Sequence, residues 1–311
     1  MLVRYILRRL VLLLPVLFVM SVIVFGIIRF APGDPALMLL SFEEYTPERA
    51  EQMRHTLGLD QPVPVQYWIW LQRVVVGDLG KSLFTHDKVT ELIGNRMPTT
   101  LILTFGTLIV ATLMSIPLGV IAAVRKDSWV DNLSRIVSMV GVSMPIFWLG
   151  LLLLIAFALY LQWVPPGGDV ARFGPKAAVL PWITLGVSYA ALLTRMVRTE
   201  MIEVLQQDYI RSARAKGLAD FVVNFRHGLK NAMLPVITVI GLQVGGLLSG
   251  AVLTETIFDM PGLGRLLVDS LTRRDYPVIQ GCVLVITFIF VITNLIVDVT
   301  YGFFDPRIKY E

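Results

Sequence analysis

Residues 74–82 read VVVGDLGKS: a β-branched run, a glycine turn, then Gly-Lys-Ser. A phosphate-binding loop, G-x-x-x-x-G-K-[ST], uses glycines so that backbone N–H groups wrap the phosphates and a lysine reaches the outer ones. Counting back from Gly80 puts the first glycine of that motif at position 75, which is Val75. Half of the cradle is missing. Other site chemistry is no better supplied. His55, His86 and His227 are scattered and none stands in an H-E-x-x-H pair. Cys282 is the single cysteine, which excludes an intrachain disulfide and any metal site built on cysteines. The polar residues do not converge at one depth as an enzyme site would require. The expectation is a chain with no catalytic residue, no cofactor and no metal.

The elements that would have to position any chemistry are apolar. Hydrophobic residues make up 55% and charged residues 16% of 311, and the mean hydropathy is +0.71. That leaves too little charge to cover a globule of this size and points to a membrane protein. Six apolar stretches, near 9–28, 98–124, 135–161, 177–197, 234–256 and 278–302, approach the ~20 residues that ~30 Å of hydrocarbon requires. Helices are the form expected, since a barrel would show short alternating segments. The first stretch follows Arg4, Arg8 and Arg9, but it is too long for a signal h-region and Phe30-Ala31-Pro32-Gly33 is a poor cleavage site. It reads as an uncleaved anchor.

Lysines and arginines fix an expected orientation. Arg4, Arg8, Arg9, Arg125, Lys126, the dense set from Arg195 to Lys230, and Arg307 and Lys309 fall on one side. The positive-inside rule makes that side cytoplasmic, with both termini on it. Residues 30–97 then lie outside, which separates GDLGKS from cytoplasmic ATP. In that segment Thr46, Pro47 and Gly58 bracket one short helix. Pro64 opens a second, with Trp68, Leu71 and Val75 as an apolar stripe and Gly77 as its end. VVV is then the last turn of a helix.

The inner loop, DYIRSARAKGLADFVVNFRHGLKNAMLP, runs from Asp208 to Pro235. Its start reads as a helix with Ile210, Ala213 and Gly217 on one face and Arg211, Arg214 and Lys216 around the others. Gly217 caps or breaks it. Such a helix suits docking into a groove on another protein or resting on anionic headgroups, and the spacing alone does not choose.

In the span at 234–256, Gly241, Gly245 and Ser249 recur every four residues, as do Gly246 and Gly250. Small-xxx-small rows let helices approach closely in lipid, either within one subunit or against a second one lining a pathway. Gln243 is the most central polar side chain of that span. Glu255 and Asp259, beside Pro261-Gly262 and Gly264, mark either a bent gate segment or a plain loop. Asp298 and Asn294 read as a proton relay or as a hydrogen-bonded helix end. Pro117, Pro145 and Pro181 kink their spans or are tolerated there.

The 208–235 loop resembles the EAA loop of ABC importer permeases, with Ser212-Ala213 at the Ala-Ala positions and Gly217 at the signature glycine. ARAKGL is similar to the form typical of the dipeptide/oligopeptide permease family, in which Arg211 replaces the acidic residue of the general motif and the distance to Leu234-Pro235 is longer. RYILRRL, APGDP, LGLDQP, GDLGKS, MPTTL, SMPIFWLG, ETIFDMPGLGRLL, RRDYPVIQG and DPRIKY resemble family segments in the same order along the whole chain.

The resemblance implies an all-α type I importer fold in a bacterial inner membrane. An anchor at 1–29 and a helical extracytoplasmic segment at 30–97 would precede a core at 98–302. That core would carry a coupling loop at 198–233 and end in a tail at 303–311. It further implies a homologous second permease, two cytoplasmic ATP-binding subunits that dock on Arg211, Ser212, Ala213, Arg214, Ala215, Lys216 and Gly217, and an external solute-binding protein. The cargo would be a dipeptide or oligopeptide, with glutathione and nickel systems on the same scaffold. The pathway candidates are Gly241, Gln243, Gly245, Gly246, Ser249 and Gly250. A stand-alone proton-coupled carrier is the rival class, and it would need central acids and internal repeats that the sequence does not clearly show.

Overall fold

The computed structural model of the chain describes residues 2–30, 46–48, 51 and 60–304, excluding the side chains at 2–10, 27–30, 248–250 and 298–304. In chain order the helices longer than one turn are α1 (Leu2–Phe30), α2 (Val63–Val75), α3 (Val89–Val124), α4 (Trp129–Ser143), α5 (Ile146–Leu153), α6 (Val179–Leu205), α7 (Asp208–Ala215), α8 (Lys230–Gly250), α9 (Val252–Ile257), α10 (Leu263–Arg273) and α11 (Tyr276–Phe304). Wider π-helical turns continue α5 over Leu154–Tyr160 and lead into α8 over Val222–Leu229. Among the described residues there is no strand, only an isolated bridge between Lys81 and Lys88. The fold is all-α, as expected.

Four helical stretches are long and apolar enough to cross a bilayer: Val89–Val124, Pro175–Leu205, Val222–Leu247 and Tyr276–Val297. Val11–Gly26 is a shorter apolar stretch of α1. The stretch expected to cross as one helix at 135–161 is broken. Trp129–Ser143 and Ile146–Tyr160 meet at 101° and make a fifth span only if the bent pair is taken together. The cause is Pro145, whose ring pushes the preceding residue out of the helical region. Met144 accordingly has φ −77° and ψ 125°. Pro117 sits inside an unbroken α3, and Pro181, third residue of α6, lies in a first turn where no intrahelical N–H bond is lost.

The chain divides into two compact units, one of Met1–Ile6, Pro98–Arg265 and Ile289–Glu311, the other of Leu7–Met97 and Leu266–Phe288. In the first, α6 is the central element. Leu193, Val197 and Met201 are fully buried with Ala111 and Val120 of α3 and Ala232 and Val236 of α8. A second cluster joins Leu103, Leu180, Leu185, Leu247, Phe258 and Met260. Lipid is as apolar as these side chains, so close fit holds such helices together rather than apolar burial. Small residues supply the fit. A Cβ on Gly186 would lie 2.6 Å from Val110, and one on Gly119 would lie 2.7 Å from Val197. Gly106 leaves room for the Trp182 indole, which donates to the Ile102 carbonyl at 2.9 Å.

In the second unit, α2 packs on α1 through aromatic rings. Tyr67 and Trp70 lie 5.3 and 5.6 Å, centroid to centroid, from Phe25, and the Tyr67 hydroxyl hydrogen-bonds the Ser21 hydroxyl at 2.8 Å. This corrects the expected stripe. Trp68 and Val75 are 59% and 77% exposed while Leu71 is half-buried, because the face packed on α1 is set by Tyr67 and Trp70. The end of α2 is as expected: Gly77 has φ +84°, its N–H bonds Val74 O, and Asp78 N–H bonds Arg73 O. That is a Schellman end, which satisfies two orphan carbonyls and needs a left-handed residue at Gly77. The helix expected between Thr46 and Gly58 lies largely outside the described residues.

Candidate functional site

The loop singled out as a docking element is a helix with two different sides. α6 ends at Leu205, Gln206 and Gln207 turn the chain, and α7 begins at Asp208. Ile210 and Ala213 are buried against Val223 and Leu205, which fixes one face. Arg211, Ser212, Arg214, Ala215 and Lys216 are exposed around the rest. Arg211 pairs with Asp208 at 3.6 Å and Arg214 with Asp220 at 4.0 Å, with the side chains largely in solvent. Surface pairs of that kind contribute about 0–1 kcal/mol and leave the charges available.

Gly217 ends α7 as Gly77 ends α2. Its φ is +76°, its N–H bonds Arg214 O at 2.9 Å, and Leu218 N–H reaches Ala213 O at 3.4 Å. No atom lies within 4 Å of where a Cβ on Gly217 would be. The glycine is therefore set by conformation, and the space over it is open. Behind α7, Tyr209 and Asn231 are joined at 2.8 Å, and the Asn231 amide also donates to His227 O at 3.1 Å. These bonds tie α7 to the start of α8.

On α8 the predicted residues separate. A Cβ on Gly241 would lie 2.3 Å from Val297, and one on Gly245 would lie 2.8 Å from Phe290. That small-residue row is used to bring α11 close inside this chain. Gly246 instead looks toward the Tyr189 hydroxyl, 3.7 Å from its would-be Cβ. Gln243 is buried, with its amide 3.5 Å from Tyr189 O and its Oε1 without a hydrogen-bond partner. Ser249 and Gly250 continue the helix, and the Ser249 side chain lies outside the described part, as does that of Asp298. The Asn294 Oδ1 is also buried without a partner. A cavity of about 360 Å³ lies between α3, α8 and α11, lined by Phe105, Leu234, Ile237, Gly241, Ile296 and Val297 among others. Among the described residues of its lining, only Thr238 and Thr293 carry polar side chains, which does not suit a charged solute.

The GDLGKS stretch is a folded loop. Asp78 Oδ1 accepts from Gly80 N–H at 3.0 Å, and Gly80 is left-handed at φ +82°. Ser82 is buried, donates to Asp275 Oδ2 at 2.5 Å, and accepts from the N–H groups of Phe84 and Thr85. Lys81 is exposed. The hydroxyl that would face a metal in a nucleotide site is spent on a carboxylate.

Two buried carboxylates were not legible as partners in the sequence. Glu255, at the end of the fifth expected span, accepts from the Thr100 hydroxyl at 2.7 Å and from Arg265 N–H at 2.9 Å, while Leu263 N–H donates to Thr100 Oγ1 at 2.9 Å. It thus fastens the start of α10, at Leu263–Arg265, to Thr100 of α3. Asp259, at φ +51°, pairs with the Arg265 guanidinium. Asp131 is fully buried and takes both arms of Arg198, at 2.6 and 2.7 Å. Ser128 caps α4 three residues before Asp131, and that S-x-x-D spacing was the one available signal.

Residues 1–104 match the N-terminal component, and residues 115–310 the main component, of the family described as binding-protein-dependent transport system inner membrane component. The chain belongs to this family. It is 42% identical to the dipeptide transport system permease protein DppB of Alkalihalophilus pseudofirmus, over 98% of this chain and 99% of that protein. It is also 42% identical to the glutathione transport system permease protein GsiC of Escherichia coli K12, over 99% of each. It is accordingly a multi-pass membrane permease of an ABC importer, which works with ATPase and binding-protein partners. α7 is exposed and basic between two stretches long and apolar enough to cross a bilayer.

Proposed function

We propose that this chain is the non-catalytic transmembrane subunit of an importer for dipeptides or oligopeptides, and that α7 is where the ATPase enters. The observation that carries the reading is the two-sidedness of α7. Ile210 and Ala213 lock it to Leu205 and Val223, while Arg211, Arg214 and Lys216 are exposed around an open Gly217. A helix resting on headgroups would put its apolar face toward lipid, whereas here that face is already used inside the chain. Two cytoplasmic ATP-binding subunits then hydrolyse ATP. One docks on residues 211–217 of this chain and the other on the equivalent loop of a homologous second permease.

The positive residues of this loop support a cytoplasmic side for it and for both termini, by the positive-inside rule. An extracytoplasmic binding protein delivers the solute, and the substrate passes between the two permeases along α8, where Gln243, Gly246, Ser249 and Gly250 are the candidate contacts. Gly241 and Gly245 act in that pathway through α11, against which they pack. Closure of the ATPase pair displaces α7 and shifts a two-state equilibrium of the membrane helices. No covalent step is asked of this chain.

Glutathione is itself a tripeptide, so the two named relatives point to one chemical class of cargo. Expression of the chain with its genomically neighbouring permease, ATPases and binding protein tests both parts. The ATPases should co-purify with the permeases and be lost when Arg211, Arg214 and Lys216 are changed to Glu. The binding protein should bind glycyl-leucine or glutathione in calorimetry. Binding of a nickel complex and of neither peptide would overturn the assignment of cargo.

A further inference from the structure

Asp131 is a carboxylate with no exposure to solvent, yet its hydrogen bonds are satisfied. Oδ1 takes Arg198 Nε at 2.6 Å, and Oδ2 takes Arg198 Nη2 at 2.7 Å and the Asp127 N–H at 2.9 Å. A buried ion pair is weak support for stability, because desolvation offsets most of the attraction and an apolar pair of similar shape packs as well. What the planar fork of an arginine on a carboxylate adds is orientation. Here it orients three elements at one point. Asp127, left-handed at φ +63°, belongs to the turn after α3, Asp131 to the first turn of α4, and Arg198 to α6.

Arg198 stands seven residues before Leu205, about 10 Å along the helix, and α7 begins three residues after Leu205. Beyond Arg198, on the side away from α7, α6 is gripped again. A Cβ on Gly141 of α4 would lie 3.0 Å from Ala191, and one on Gly119 of α3 would lie 2.9 Å from Thr194 O. A push on α7 therefore passes into α6 through the Leu205–Ile210–Val223 cluster and leaves it sideways at Arg198.

We propose that Asp131 and Arg198 are a positioning pair that makes the α3–α4 turn and the start of α4 move with α6 when α7 is displaced, so that ATP hydrolysis and solute movement stay in step. The proposal rests on α7 being the ATPase-docking helix. The test uses the assembled transporter in proteoliposomes, with ATP hydrolysis and uptake of radiolabelled glycyl-leucine or glutathione, whichever the wild type accumulates, measured together. In Asp131→Asn the solute moved per ATP should fall by about fivefold or more while hydrolysis stays within about twofold of wild type. Arg198→Lys keeps the charge and loses the fork, and should fall between the two. It also carries the test if Asp131→Asn does not accumulate. Unchanged solute per ATP in these variants overturns the proposal, and so does a parallel fall in uptake and hydrolysis, which is what a purely structural pair would give. The triple Arg211→Glu, Arg214→Glu, Lys216→Glu variant is assayed alongside. ATPases retained on it would sink the docking reading itself, whereas ATPases lost on it with the pair variants unaffected would sink only the pair.

Discussion

The carboxylate of Glu255 fills the space that a side chain on Gly262 would need. A Cβ on Gly262 would lie 2.2 Å from the carboxyl carbon, and one on Gly264 would lie 3.0 Å from Oε2. The glycines of the PGLG turn are thus read as room for a buried acid, with no special backbone angle required of them. Both glycines let the chain close over Glu255 so that Arg265 N–H can reach it. Near the start of α10 the carboxylate also answers unpaired N–H groups of a first turn.

Gly262→Ala is expected to destabilise the permease by about 1–3 kcal/mol, the usual cost of overpacking. Glu255→Ala should cost at least as much, since it leaves the Thr100 hydroxyl and the Arg265 N–H without their acceptor. The half-life of the detergent-solubilised permease at fixed temperature, read by size-exclusion chromatography, compares the variants. Equal half-lives for wild type and Gly262→Ala would contradict the packing derived for the turn.

Ser82 and Lys81 separate the scaffold reading of GDLGKS from a nucleotide-binding one. Ser82→Ala removes a buried donor to Asp275 and an acceptor for two backbone N–H groups, at a cost of about 1–3 kcal/mol. Lys81→Ala touches an exposed side chain and should stay within about 0.5 kcal/mol. A phosphate site would give the opposite ranking in function, because its lysine makes the strongest contact. ATP-dependent uptake should therefore survive Lys81→Ala, and its loss would reopen the nucleotide reading.

Arg274 offers a stabilising change. It ends α10 in a left-handed conformation, φ +59°, with its N–H on Leu271 O and the Asp275 N–H on Ser270 O, which is the same geometry that Gly77 and Gly217 adopt. A non-glycine residue in that region costs about 1–2 kcal/mol. Replacing it by glycine loosens the unfolded chain by about 0.4–1 kcal/mol. Relief of strain is the larger effect, so Arg274→Gly should lengthen the thermal half-life by an amount equivalent to about 0.5–1 kcal/mol. A shorter half-life would show that the Arg274 side chain holds something that its exposed position does not reveal.

Local chemistry made several of these elements legible in the sequence. Gly77 after VVV and Gly217 after ARAK each announce a helix end, because a left-handed residue is required there and glycine adopts it freely. Ile210 and Ala213 announce the buried face of α7 because, Tyr209 apart, the other positions of that helix are charged or small. The same reasoning failed on α2. In VPVQYWIWLQRVV nearly every position is apolar, so Trp68-Leu71-Val75 and Tyr67-Trp70-Val74 are equally good stripes, and only the partner rings of α1 choose between them. Met144-Pro145 was visible as a possible kink, but a 101° bend needs the extended backbone of Met144 to be seen. Asp131 and Arg198 are 67 residues apart, as Glu255 and Thr100 are 155 apart. A single sequence carries no sign of which acid meets which donor at such separations.

Gly217 allows docking to be measured apart from folding. Open space surrounds the position of its Cβ, so within this chain a substitution meets only the strain of φ +76°, and that strain does not grow with side-chain size. Gly217→Asn should be nearly neutral for the isolated permease, because asparagine tolerates the left-handed region. Gly217→Ala and Gly217→Phe should each cost about 1 kcal/mol and differ little from one another. If α7 sits in a cleft of an ATPase, the partner will feel what this chain does not. Co-purification of the ATPase and solute uptake should then fall in the order Asn, Ala, Phe, with the steepest loss at Phe. ATPase retention that follows the stability order, with Ala and Phe alike, would mean that Gly217 serves only to end the helix and that the contact lies elsewhere on the loop.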